Sequence, residues 1–172
     1  GLGFIVIDEL RHFRKGKRLS LHSKVILSMT AFLVIGGTIA VWFFETRSGG
    51  VLVNASLKEQ FLGALFHSVT PRTAGANTLP MDELTIPTLL MTIVFMFIGG
   101  GSGSTAGGVK IATITVLAAV IWSQLRGSTE TVLWRRTISN SIVLKAFTLV
   151  SCSAIWVFIT TIVLAITTDG YT

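Results

Sequence analysis

The chain has 172 residues, of which 51% are hydrophobic and 13% charged, with a mean hydropathy of +0.74. Soluble domains carry about 25% charged residues, so the composition excludes an ordinary soluble domain and points to one integral membrane domain. The net charge of +6 sits in two clusters, which membrane orientation explains and nucleic-acid binding does not.

Gly1–Ile7 reads GLGFIVI. It is apolar, too short to span, and resembles the end of a preceding span, so the chain reads as a segment of a longer protein. Asp8–Lys24 follows with Arg11, Arg14, Lys15, Lys17, Arg18 and Lys24. A basic cluster beside a span marks the cytoplasmic side; contact with anionic lipid or a partner is the other reading. Val25–Phe44 is the first span, with Trp42 as an interface anchor and Gly36 and Gly37 able to admit a neighbouring helix. Glu45–Asn54 carries one basic residue, Arg47, and reads as an outer loop. Asn54-Ala55-Ser56 fits a glycosylation triplet that arises readily by chance.

Leu57–Ser68 predicts a short helix, with Lys58 and Glu59 at its outer start. It cannot cross a bilayer, which takes about 20 residues. His67 near its end reads either as a ligand or pH sensor, or as a packed, hydrogen-bonded residue. The next stretch, Val69–Thr78, reads VTPRTAGANT. Pro71 and Gly75 stop a helix there, and no β alternation appears. A short helix and a polar loop between two spans suggest a re-entrant hairpin. Irregular backbone at that depth must be buried in protein or line a wet cavity. Arg72 in such a loop would repel a passing cation, so it should point behind the loop and pair with acceptors.

Pro80–Pro87 returns the chain to the outer surface, exposing Asp82 and Glu83. Thr88–Ser123 as one straight helix would be about 54 Å long, against a bilayer core of about 30 Å. Its middle, Gly99–Gly108, holds six glycines in ten residues, with Ser102, Ser104 and Thr105 among them. Each glycine costs a helix about 1 kcal/mol, so the helix should open there into a polar intramembrane loop. Lys110 just beyond it is a functional candidate by depth, or a residue snorkelling to the inner face. If it faces a cavity, its charge opposes cation passage.

Soluble-enzyme readings of the glycine tract fail. Gly101-x-Gly103-x-x-Ala106 fits a loose dinucleotide fingerprint, but no βαβ unit surrounds it. In the phosphate-loop reading of Gly103–Lys110, Val109 stands where Lys belongs and Ile111 where Ser or Thr belongs. No nucleophile–base set or carboxylate pair is visible, so no enzyme activity is expected. Gln124–Arg136 is the second basic cluster. Ile142–Ile166 is the last span, and Asp169–Thr172 ends the chain outside. Cys152, the single cysteine, lies in that span and reads as a small buried hydrophobe; it offers no disulfide and no cysteine metal site.

Two of these motifs carry a family resemblance. VTPRTAGANT resembles the filter loop of the Trk/Ktr/HKT superfamily of potassium transporters, in which each repeat runs helix, pore helix, filter, helix. Ile98–Ile111, IGGGSGSTAGGVKI, resembles the broken inner helix of the third repeat in KtrB-type subunits. One departure is Ala76, where the family usually has Phe. The resemblance implies an all-α membrane fold with a helix–pore loop–helix repeat like that of potassium channels. Residues 1–19 would end the preceding repeat, 20–124 form the third repeat, with helix 25–44, pore helix 57–68, filter 69–78 and broken helix 88–123, and 125–172 begin the fourth. Carbonyls of Thr73, Ala74, Gly75 and Ala76 would line the filter, with Arg72 and Asn77 supporting it. Gly99, Gly100, Gly101, Ser102, Gly103, Ser104, Thr105 and Lys110 would form a gate. It implies no cofactor, potassium as the transported ion, and sodium as a candidate coupling ion. The partners it implies are lipid, the rest of a four-repeat subunit, a second copy as a homodimer, and a cytosolic nucleotide-binding ring, in a bacterial plasma membrane. The readings set against it are a complete subunit of a homotetrameric two-helix potassium channel, and a non-conducting membrane scaffold.

Overall fold

The computed structural model describes residues 1–13, 19–47, 49–72, 75–127, 132–133 and 136–168. Among these residues six helices run in order: α1 Phe4–Phe13, α2 Leu21–Glu45, α3 Leu57–Val69, α4 Ile86–Phe97, α5 Ile111–Leu125 and α6 Asn140–Thr168. Two strands of two residues each, β1 Val132–Leu133 and β2 Arg136–Thr137, pair antiparallel before α6. From sequence this segment reads only as the second basic cluster, with no strand pair. The chain divides into two units, Gly1–Ala112 and Thr113–Thr172.

Among the described residues two helices are long and apolar enough to cross a membrane: α2, with a mean hydropathy of 2.1, and α6, at 2.4. α2 opens at Leu21, ahead of the hydropathy boundary at Val25. The reason is a cap: Ser20 Oγ accepts the Ser23 N–H at 3.2 Å, so three polar residues enter the first turn. α6 buries only Ala146 among its described residues. Cys152 is therefore exposed and is not a buried hydrophobe, because no neighbour within its unit covers that face.

The first unit is organised by α2, which packs on α3 and α4. Gly37 makes the approach close: a Cβ there would lie 2.5 Å from Phe95 Cε2 and 2.9 Å from Ser68 Cβ. Gly36, its neighbour on the other side of the helix, faces open space in this chain. Leu33, Phe95 and Ile111 form one core, flanked by Met29, Met91 and Ile98. Leu52, Leu79 and Leu84 form a second beneath the outer segments. Apolar packing of this kind stabilises by about 25 cal/mol per Å² removed from water. In lipid that driving force falls away, and close packing and hydrogen bonds carry more of the load.

The long apolar stretch after Pro87 does break. α4 opens with proline in its first turn and stops at Phe97. α5 starts at Ile111. Between them Ile98 and Val109 form an isolated parallel bridge.

Candidate functional site

α3 is fixed at its start by a reciprocal cap. Ser56 Oγ accepts the Glu59 N–H, and Glu59 Oε2 accepts the Ser56 N–H at 2.9 Å and its hydroxyl at 2.8 Å. The Ser56 N–H, then its hydroxyl, holds the exposed Glu59 carboxyl below the ordinary carboxylate range. At the other end of α3, His67 and Ser68 are buried. Ser68 Oγ meets Thr38 Oγ1 at 3.1 Å and reaches the Val34 carbonyl of α2 at 3.2 Å. His67 is 3% exposed and its Nε2 lies 2.9 Å from Thr92 Oγ1. Thr92 already donates its hydroxyl proton to Thr88 O at 2.7 Å, so His67 Nε2–H is the donor. His67 is thus a packed tie between α3 and α4, the second of its two sequence readings.

After α3 the chain turns sharply. Thr70 N–H bonds to Phe66 O, and Arg72 N–H to Val69 O at 3.2 Å. Pro71 is buried and Arg72 half-buried. Thr73 and Ala74, expected to line a filter, lie outside the described residues. Gly75 follows with φ of +72°, and nothing lies within 4 Å of the position a Cβ would take. Its glycine therefore answers a backbone demand rather than a lack of space. Gly75, Ala76 and Asn77 are all exposed. The Ala76 carbonyl accepts a hydrogen bond from Thr70 Oγ1, which ties the returning chain to the end of α3.

The return is anchored by a residue that sequence reasoning missed. Glu45, the last residue of α2, is fully buried. Its Oε2 accepts Val51 N–H at 3.0 Å; its Oε1 accepts Thr85 N–H at 3.1 Å and Thr85 Oγ1–H at 2.8 Å. Thr85 Oγ1 also meets Thr88 Oγ1 at 3.1 Å. One carboxylate thus joins the end of α2, the outer loop and the start of α4. A buried charge is retained only when it is bonded this fully. The signal that could have found it is the polar run Thr85, Thr88, Thr92 at helical spacing on an otherwise apolar helix.

The glycine tract forms a closed loop. Its neck is zipped by Gly99 N–H to Val109 O at 2.9 Å, Val109 N–H to Phe97 O at 2.9 Å and Ile111 N–H to Gly100 O at 3.1 Å. A Cβ at Gly99 would lie 1.8 Å from Gly107 O, and one at Gly108 2.9 Å from Met96 O. These glycines allow backbone to pass backbone. Ser104 turns inward, its Oγ donating to Gly101 O at 2.7 Å. Ser102 is partly buried, while Gly103 and Thr105 are exposed. The Lys110 ammonium does not project freely. It donates to Ala106 O at 2.6 Å and Ser104 O at 3.4 Å, satisfying carbonyls of the loop itself.

The chain matches the TrkH cation transport protein family over residues 14–171. It belongs to that family. It is 41% identical over 149 residues to the potassium/sodium uptake protein NtpJ of Enterococcus hirae, covering 87% of this chain and 33% of that protein. It is 37% identical to the Ktr system potassium uptake protein B of Vibrio alginolyticus, over 89% of this chain and 34% of the relative. The Bacillus subtilis protein of the same name is 36% identical over 97% of this chain and 38% of its own length. The chain thus spans about a third of the length of these TrkH relatives. With two helices of spanning length among the described residues and this family membership, it is a multi-pass, all-α membrane protein, the described residues adding one short strand pair.

Proposed function

We propose that this TrkH-family segment supplies one quarter of a potassium filter, and the gate beneath it, to a potassium-uptake transporter of the Ktr/Trk type in a bacterial plasma membrane. The observation that carries the reading is the pairing of a capped, non-spanning α3 with a positive-φ glycine just beyond its C-terminal end. A helix C-terminus carries about half a negative charge, and irregular carbonyls near it can replace a cation's water shell. Thr73, Ala74 and Gly75 would offer those carbonyls, and Arg72 and Asn77 would brace them. Ala76, its carbonyl tied to Thr70, would contribute mainly to the loop's shape. The exposed apolar face of α3, with Phe61, Leu62 and Phe66, supports packing against further repeats of the same subunit. A relative's name refers to a Ktr system, which supports a membrane component working with other subunits. We include among these a second copy and a cytosolic nucleotide-binding ring. Potassium is the transported ion and sodium the candidate coupling ion, and no cofactor or catalytic step is required.

The closed loop of residues 98–110 is the proposed gate, with Lys110 holding it shut through the Ser104 and Ala106 carbonyls. In full-length protein, deleting Gly101–Ala106, or replacing Lys110 with Ala, should raise maximal potassium flux and leave affinity nearly unchanged. Flux per folded protein in vesicles is the measurement. A deletion variant that folds but conducts equally or less refutes the gate and favours the glycines as packing alone.

A further inference from the structure

Gly1–Phe4, the stretch that leads into α1 and includes its first residue, is laid directly on the glycine loop. Gly101 N–H donates to Gly1 O at 2.6 Å, and Phe4 N–H donates to Gly103 O at 3.2 Å. Along this contact several glycine positions have no room for a side chain. A Cβ at Gly3 would lie 2.4 Å from Ser102 O, one at Gly100 2.7 Å from Gly1 O, and one at Gly101 2.8 Å from Leu2 O. Gly3 also has φ of +83°, a conformation that side chains other than glycine's resist. Glycines thus face each other from two segments about a hundred residues apart. The far part of α1 is tied as well. Glu9 Oε2 accepts the Ser20 N–H at 2.9 Å, and Ser20 is the cap of α2. Val6 between these ties is fully buried.

We infer that Gly1–Phe4 is a clasp that holds the glycine loop in its closed form, and that α1 links this clasp to the cap of α2. The inference rests on the reading of the loop as a gate and adds what holds it. Lys110 secures the loop from within; the clasp secures it from outside, through backbone groups that no substitution of a loop side chain would remove. The basic cluster follows α1 in sequence, so a pull on that segment would reach the loop through α1. Gly3 is a positioning residue on this reading, not an ion ligand.

The test uses full-length protein reconstituted in vesicles, with maximal potassium flux per folded protein and potassium affinity as readouts. The variants are Gly3→Ala, Gly101→Ala, the Gly101–Ala106 deletion, and Gly3→Ala combined with that deletion. A single clash of this kind shifts a two-state balance by about fivefold. Gly3→Ala and Gly101→Ala should therefore raise flux by about that factor, with affinity unchanged. In the deletion background Gly3→Ala should add nothing. A deletion that raises flux while both alanine variants leave it unchanged overturns the clasp and leaves the gate standing. A further rise from Gly3→Ala on top of the deletion also overturns it, because the residue then acts elsewhere. A deletion without effect removes the gate, and with it the clasp's role in flux. Should the alanine variants not fold, hydrogen exchange of the unmodified protein decides. Slow exchange in peptides covering residues 2–7 and 99–104, with the first set accelerated by the deletion, supports the clasp; fast exchange in both overturns it.

Discussion

Replacing Gly75 tests the filter because the structure separates backbone from space at that position. Nothing lies within 4 Å of the place a Cβ would occupy, so no collision is introduced. The whole effect comes from φ of +72°, which costs an ordinary residue about 1–2 kcal/mol. If the ion-bound loop needs that conformation, the strain falls on ion binding. Affinity for potassium should then drop by about 5- to 30-fold. Gly75→Ser and Gly75→Ala should lose about equally, since side-chain size has nothing to meet. Gly75→Asn should lose less, because Asn enters the left-handed region several-fold more often than most residues. Sodium should compete better in all three, as relaxed carbonyls no longer fit one ion. The assay is potassium-uptake affinity of full-length protein in a potassium-starved host, with and without added sodium. Unchanged affinity and unchanged sodium competition in Gly75→Ser refute the reasoning. A loss that follows side-chain size and leaves Asn worst refutes the backbone account alone.

Three further outcomes are expected. Glu45→Gln should lower thermal stability of the purified protein by about 1–3 kcal/mol, because the amide nitrogen would face a buried N–H where a carboxylate oxygen now accepts; an unshifted melting temperature speaks against the anchor. Gly37→Val should lower folded yield by crowding Phe95 and Ser68, at a cost of about 1–3 kcal/mol, whereas Gly36→Val should be tolerated; equal yields for the two undo that distinction. Arg72→Met should reduce assembled protein more than it alters ion preference; normal yield with changed selectivity, measured on the same preparation, would put Arg72 on the ion path.

The spans and the break were legible because length is a blunt constraint. Thr88–Ser123 could not fit a bilayer straight, and six glycines marked where it would open. The helix starts were less legible. Ser20 lies ahead of His22, Ser23 and Lys24, and hydropathy discounts polar residues that a cap admits to a first turn. The reason for the glycines was also hidden. In sequence they suggest softness, but Gly3, Gly99, Gly101 and Gly108 sit where two backbones touch, which only tertiary structure reveals. Lys110 illustrates the same limit: a cation at depth signals function, yet its acceptors at Ser104 and Ala106 belong to a turn whose path no periodicity reports. Glu45 ends a span and so resembles an ordinary outer acid. Its role depends on Val51 and Thr85 converging on it from both sides of the α3 segment. The strand pair escaped notice because two-residue strands leave no alternation to count.

The neck of the glycine loop has a consequence for how the molecule can be altered. Three backbone bonds across Phe97–Gly100 and Val109–Ile111 close the excursion at its base, and Ile111 is fully buried against Leu33 and Phe95. The course of the chain into its core is therefore decided at the base rather than at the tip. Gly103 and Thr105 stand exposed at that tip, but Gly103 has φ of +75° and its carbonyl accepts the Phe4 N–H, which leaves Thr105 as the open position. Thr105 is a place where side-chain chemistry can be exchanged while the scaffold stays put, as a cassette is exchanged in a fixed frame. It is the natural seat for a reporter group.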